Sequence, residues 1–257
     1  LRRQRQMCIR DSVKNVLEAL NQQIVPREHM EWFNQLDKWR QEHPALVIRD
    51  SEAVLPQYVI RQIYEVTKGD ATIVTGVGQN QMWAGQFFFY DKPNSLISSG
   101  GLGTMGFELP AAIGAKVGRP RETVWCIAGD GGFQMTMQEL ATIVQENLAI
   151  KIAIINNGYL GMVRQWQQLF YGHRYVHTQL WGPDFVKIAE AYGIPALRVK
   201  DKVEVTPSIE KAMEHDGPFL IDFVVEPEEN VLPIVPPGAS LVQAIEMPKP
   251  EKVTGLS

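Results

Sequence analysis

Two stretches decide the fold: Thr123-Val124-Trp125-Cys126-Ile127-Ala128-Gly129-Asp130-Gly131-Gly132 and Ile150-Lys151-Ile152-Ala153-Ile154-Ile155-Asn156-Asn157-Gly158. Each is a short run of mostly apolar, largely β-branched residues that breaks abruptly into glycine, aspartate and asparagine. Runs apolar on both alternating faces suit strands covered by helices on both sides, as in a parallel sheet.

Outward from these runs the same pattern repeats. Apolar runs at Ala71–Thr75, Ser95–Ser98, Leu197–Val199 and Phe219–Val225 alternate with helical periodicities at Gln79–Phe87, Leu109–Val117, Met135–Asn147, Tyr159–Phe170, Asp184–Tyr192 and Ser208–His215. About six strands with crossover helices predict a doubly wound, mostly parallel α/β domain over residues 53–226. Pro56 marks the first turn of a helix that opens it. Residues 13–52 carry helical patterns around Val16-Leu17 and Trp32-Phe33-Leu36-Trp39, and read as the remnant of a preceding domain and a linker. Residues 1–12, with four arginines and one acid, read as foreign to the fold. Residues 227–257 hold six prolines and read as an extended tail.

The chain has 257 residues, 45% hydrophobic and 21% charged, with a formal charge of −4. That balance offers no global basic field for nucleic acid or an anionic membrane. No apolar run reaches the roughly 20 residues that span a bilayer. Two cysteines, Cys8 and Cys126, make no disulfide framework, and Cys126 lies in a core-like run. The cytosol is the expected compartment.

In open parallel sheets ligands bind beyond the carboxyl ends of the strands. The pair Gly129-Asp130-Gly131-Gly132 and Asn156-Asn157-Gly158 is therefore the strongest chemical signal. Asp130 and Asn157 are 27 positions apart, room for one helix and one strand. Their side chains, with a backbone carbonyl nearby, make three hard oxygen ligands for Mg²⁺, which takes its remaining ligands from phosphates and water. Gly131 and Gly132 leave backbone N–H groups bare to phosphate oxygens. Either motif alone is as well explained by a turn or a helix cap. Gly76-Val77-Gly78-Gln79-Asn80-Gln81 follows another strand, and its glycines and amides suit a diphosphate. Gly101-Leu102-Gly103-Thr104-Met105-Gly106 fits the G-x-G-x-x-G dinucleotide fingerprint literally. It follows a short second strand, however, and no acid ends the next strand before Asp130, so a loop that lets a cofactor approach explains its glycines as well.

Together these residues resemble the thiamine diphosphate enzymes, and within them the large catalytic subunit of acetohydroxyacid (acetolactate) synthase. The resemblance runs from about Pro56 to Ala239. It rests on Val77-Gly78-Gln79-x-Gln81-Met82-Trp83-Ala84, Ser99 to Phe107, Gly129-Asp130-Gly131, Asn156-Asn157-x-Tyr159-Leu160-Gly161-Met162-Val163-Arg164-Gln165-Trp166-Gln167, and Glu228 to Pro233. It implies thiamine diphosphate, with Mg²⁺ held by Asp130, Asn157 and the carbonyl of Tyr159. It implies diphosphate contacts from Gly78, Gln79, Gly131 and Gly132, and Met105 as the apolar wedge that bends the cofactor. Val77, Asn80, Gly103, Thr104, Gly129, Gly161, Met162 and Val163 complete the expected cofactor site. Met105 and Trp166 are the expected catalytic residues, Trp166 at the position that favours 2-ketobutyrate as second substrate. Three positions depart from the pattern: Asn80 stands where histidine is usual, Glu108 where glycine is usual, and Gly132 where serine is frequent.

The implied reaction is a carboligation: pyruvate loses CO₂ and the remainder joins a second 2-keto acid, pyruvate or 2-ketobutyrate. FAD is implied by the family only, mainly outside this chain. A homo-oligomer is implied, with a neighbouring subunit's pyrimidine domain carrying the activating glutamate, and room for a small regulatory subunit. That pyrimidine domain and most of the FAD-binding middle domain lie outside these 257 residues. The expectation is that the chain alone is catalytically silent and binds the cofactor weakly. Another carboligase or decarboxylase of the superfamily (glyoxylate carboligase, pyruvate oxidase, oxalyl-CoA decarboxylase) and a non-catalytic cofactor-binding relative remain as alternatives.

Overall fold

The computed structural model describes residues 12–44 and 46–246. The expectation for residues 1–12 falls outside these but for Ser12, as does Cys8 and the tail from residue 247. The chain divides between residues 45 and 46 into two units. In the first, α1 (Val13–Gln23) is capped by Ser12, whose side chain accepts from the Asn15 amide, and α2 is Met30–Glu42. No residue of either helix is buried, which suits a segment unable to build a core by itself. Trp32 and Trp39, a helical two turns apart, meet edge to face at 5.6 Å.

The second unit opens with α3 (Pro56–Thr67), Pro56 in its first turn, and continues through β1 (Thr72–Thr75), α4 (Gln79–Phe87), β2 (Leu96–Ser98), α5 (Glu108–Gly118) and β3 (Val124–Gly129). Next come α6 (Asp130–Thr136), a 3₁₀ turn at Met137–Glu139, α7 (Leu140–Gln145), β4 (Ile150–Asn156) and α8 (Gly161–Phe170). It closes with α9 (Phe185–Ala191), β5 (Ala196–Val199), α10 (Val205–Glu214) and β6 (Phe219–Val224). The six strands form one sheet in the order β2-β1-β3-β4-β6-β5, parallel at every pairing.

Alternation along each strand sends side chains to two separate cores. Ile73, Trp125, Ile127, Ala153, Ile155 and Ile221 join one, covered by Val59 and Ile63 of α3, Trp83 and Phe87 of α4, and Ile209 of α10. Val74, Cys126, Ala128, Ile152, Ile154 and Leu220 join the other, under Leu109 of α5, Phe133 of α6, Ile143 of α7 and Phe185 of α9. This is the doubly wound arrangement that the two-faced apolar strands predict. Cys126 is a free, buried thiol whose pKa burial pushes up, as suits a core residue.

One expected helix, Met135–Asn147, is two. The chain turns helical at Asp130, directly off β3, and tightens into the 3₁₀ turn before α7. Burial of Phe133 against Phe185, edge to face at 5.6 Å, anchors this early turn despite the glycine pair. After β2 the chain returns past β1 to lay β3 on its other side, so the sheet's order reverses between β1 and β3. A crevice at such a reversal is where open α/β sheets bind ligands.

Candidate active site

Three loops meet at the carboxyl ends of β1, β3 and β4. Register pairs Thr75 with Ile127 and Gly129 with Ile155, which brings Gly76–Gly78, Gly129–Gly132 and Asn157–Gly161 to the same edge. The Gly76 amide donates to the Ile127 carbonyl at 2.9 Å, closing the first loop onto the second. Gly78, at φ 132°, turns the chain into α4 through a conformation that side chains avoid.

Asp130 is buried, and its Oδ2 accepts from the Gly158 amide at 3.1 Å. Burial raises its carboxyl to about 7, while the amides of Gly131, Asp130 and Gly158 pull the other way. A buried carboxylate so weakly compensated suits a cation. Asn157 is buried too: its Oδ1 accepts from the Tyr159 amide at 3.1 Å and its Nδ2 donates to Gln79 Oε1 at 3.1 Å. Leu160 donates to the Thr178 carbonyl and Leu180 to the Gly158 carbonyl, at 2.7 and 2.8 Å, as Tyr159 bridges Gln179. That bridge uses the carbonyl of Gly158 and turns the Tyr159 peptide away from residues 178–180.

These groups wall a cavity of about 220 Å³. Of the residues predicted from sequence, Val77, Gly78, Gln79, Asn80, Met105, Gly129, Asp130, Gly131, Gly132, Asn157, Tyr159, Gly161, Met162 and Val163 line it. Met105 reaches over the β3 loop: a Cβ on Gly131 would lie 3.1 Å from its Cε, with Leu160 and Leu180 equally close. Gly103 and Thr104 are exposed and are not in the wall. Trp166 lies one cavity away, in an apolar hollow of about 640 Å³ shared with Met162, Val163 and Tyr171. Trp83, Ile155 and Leu160 complete the wall unforeseen. Each is an apolar residue in an element whose pattern reads as core, so only its place at the strand ends could have singled it out.

The first asparagine of the Asn156-Asn157 pair has a different task. Its amide donates to Asp222 Oδ1 at 2.9 Å, on a carboxylate that also accepts from Arg198 at 2.9 Å. The glycine-rich Gly101–Gly106 segment follows the edge strand β2 and leads into α5. Gly106, at φ 84°, packs on α6, where a Cβ would come within 3.0 Å of Met135 and 3.1 Å of Thr136. Among the described residues no group of three or more His, Cys, Asp or Glu is placed to hold a metal. The donors here are one carboxylate, one amide and the backbone, an oxygen set suited to Mg²⁺ completed by phosphate.

A family profile described as the thiamine pyrophosphate enzyme, C-terminal TPP binding domain, matches residues 76–223, from the first of these loops to the last strand. The chain belongs to this family. Among curated relatives, the acetolactate synthase large subunit of Porphyra purpurea is 46% identical over 245 residues, 95% of this chain and 41% of its own. Acetolactate synthase 1, chloroplastic, of Oryza sativa subsp. japonica is 45% identical over 89% of this chain and 37% of its own. Acetolactate synthase of Mycobacterium leprae is 49% identical over 83% and 35%. The chain thus spans about two fifths of the length of the relatives it matches. No helix among the described residues is long and apolar enough to cross a membrane.

Proposed function

We propose that this chain is the cofactor-holding domain of an acetolactate synthase large subunit, in which pyruvate is decarboxylated and joined to pyruvate or 2-ketobutyrate. The hydrogen bond from the Gly158 amide to Asp130 Oδ2 carries the reading of the site, because it ties the acidic loop to the Asn157 loop as a shared cation requires. The synthase reading, over glyoxylate carboligase, pyruvate oxidase or oxalyl-CoA decarboxylase, is supported by relatives of that name at 45–49% identity.

Asp130, Asn157 and the Tyr159 carbonyl would hold Mg²⁺, and the amides of Gly131 and Gly132 with Gly78 and Gln79 would receive the diphosphate. When bound, thiamine diphosphate supplies a nucleophilic carbon and an electron sink for the keto acid. Met105 would press on the cofactor from the side of Gly131, and the hollow around Trp166 would take the second substrate's alkyl group. The cavity's 220 Å³ falls below the roughly 300–1,000 Å³ of pockets that enclose a small molecule. One wall of a shared site is therefore the better description, the other wall being a neighbouring subunit's pyrimidine domain. FAD enters this reading through the family alone, mainly outside this chain. The cytosol is the compartment we propose.

Calorimetry of the chain with thiamine diphosphate, with and without Mg²⁺, tests the site. Heat that depends on Mg²⁺ and vanishes in Asp130→Ala is expected, and equal heats from both proteins would end the proposal. Product analysis of the whole protein, expected to give acetolactate from pyruvate, tests the activity.

A further inference from the structure

Asn80, Glu108 and Gly132 meet at one spot behind the cradle. A Cβ on Gly132 would lie 2.4 Å from Glu108 Oε1, and one on Gly76 would lie 3.0 Å from both that oxygen and Asn80 Nδ2. No side chain can stand at position 132 while Glu108 holds this place. Glu108 is 0% exposed, and no side chain among the described residues hydrogen-bonds its carboxyl; only the backbone amides of Gly106 and of Glu108 itself act on it to favour the charged form. A buried carboxyl that no side chain answers calls for an explanation.

The Asn80 amide supplies one. Its Nδ2 donates to the Ile127 carbonyl at 3.0 Å, so its Oδ1 faces the cradle glycines, 3.4 Å from where a Cβ on Gly78 or Gly129 would stand. An acceptor there has the wrong polarity for an anion. Turning the amide over offers Nδ2 to the anion but sets Oδ1 against the Ile127 carbonyl and the Glu108 carboxyl. Only a Glu108 that carries a proton can answer that oxygen.

We propose that Glu108 is a positioning residue that sets the polarity of this wall: as a neutral acid it donates to Asn80 Oδ1 and lets Asn80 Nδ2 face a diphosphate. The inference rests on the thiamine diphosphate reading given above. Burial pushes the Glu108 carboxyl up to about 7, which keeps the neutral form accessible. The titratable groups around it are the Cys126 thiol on β3, raised by burial and further by Glu108, and Asp130 at the start of α6, raised to about 7 by burial. The β1 loop and the first turn of α4 bring only uncharged side chains. Above neutral pH, binding then takes up one proton from solvent.

The test is an NMR titration of the 257-residue chain with Mg²⁺ and inorganic pyrophosphate from pH 6 to 9, beside Glu108→Gln and Glu108→Gly. Glutamine always carries a donor for Asn80 Oδ1, so Glu108→Gln should bind as the native chain does near pH 6 and more tightly than it at pH 8.5. The ratio of native to Glu108→Gln dissociation constants should rise about tenfold per pH unit above 7, the titrations of Asp130 and of the ligand cancelling between the two. Glu108→Gly, which lacks both charge and donor, should bind weakly with no added pH dependence relative to Glu108→Gln. Parallel pH profiles for the native chain and Glu108→Gln would overturn the role of Glu108 and leave the cradle standing. No binding by any of the three at any pH would remove the cradle, and this inference with it.

Discussion

Asp130 Oδ2 accepts from the Gly158 amide at 3.1 Å, so the carboxylate that ends β3 also holds the loop that ends β4. Asp130→Asn keeps the acceptor and the volume but removes the charge. It should fold as the native chain does, since a buried carboxylate held near 7 is no asset to stability at neutral pH. Its Mg²⁺-dependent retention of thiamine diphosphate should fall by more than the roughly 10–100-fold that loss of an outer-shell partner costs a metal site. Thermal melting with and without both ligands checks the pair of claims. A native-sized ligand shift in Asp130→Asn would refute the assignment.

Gly161 sits where two side chains converge. A Cβ there would lie 2.0 Å from Gln79 Oε1 and 2.6 Å from Asn157 Nδ2. Gln79 cannot simply swing aside, because its Nε2 donates to Gln165 Oε1 and to the Glu229 carbonyl at 2.8 and 2.9 Å. Gly161→Ala should therefore cost roughly 1–3 kcal/mol, the usual penalty of overpacking, and loosen Asn157. Urea unfolding should register the first effect and a weaker Mg²⁺-dependent ligand shift the second. A variant as stable as the native chain would mean that the two side chains move freely.

Much of this was legible in the residues, for a physical reason. Strands apolar on both faces announce a doubly covered sheet, and the polar residues that end them announce where the edge lies. The loops at Gly78, Asp130 and Asn157 could thus be brought together without coordinates. Other features depend on tertiary contacts that leave no periodic trace. Gly131-Gly132 reads as loop by propensity, yet the buried Phe133 draws it into α6. Residues 178–180 have no pattern of their own, though they pin the Asn157 loop. The proline-rich segment after β6 reads as tail, yet Val231 in it is buried and Glu229 accepts from Gln57 and Arg49.

That segment gives a third prediction. Gln165, fully buried, accepts from the Val231 amide at 2.8 Å and donates to the Val231 carbonyl at 2.9 Å, pairing the strap with α8 as one strand pairs with another. Gln165→Leu leaves both Val231 backbone groups unanswered, at about 1–3 kcal/mol for each buried group, and takes one of the two acceptors of Gln79 Nε2, which keeps the Glu229 carbonyl. A lower urea midpoint is expected, with faster hydrogen exchange at Val231 than in the sheet. Unchanged protection of Val231 would show that its burial alone holds the strap.

The last prediction concerns Glu108 in the absence of any ligand. Its carboxyl is raised by burial to about 7 in the folded chain, against about 4.3 unfolded. Between those values the folded state holds a proton that the unfolded state has released, so stability falls as pH rises through this window. The loss is complete above about 7 and amounts to roughly 3–4 kcal/mol, from 1.36 kcal/mol per unit. Below about 4.3 both states are protonated and the term vanishes. Glu108→Gln, which cannot ionise, should lack this decline and be the more stable protein at pH 8. Its advantage should disappear toward pH 4.5. Urea unfolding of both proteins from pH 4.5 to 8.5 reads the difference directly, and every other titrating group cancels in the comparison. A constant gap between the two curves across that range would mean that Glu108 finds charged-state partners on folding.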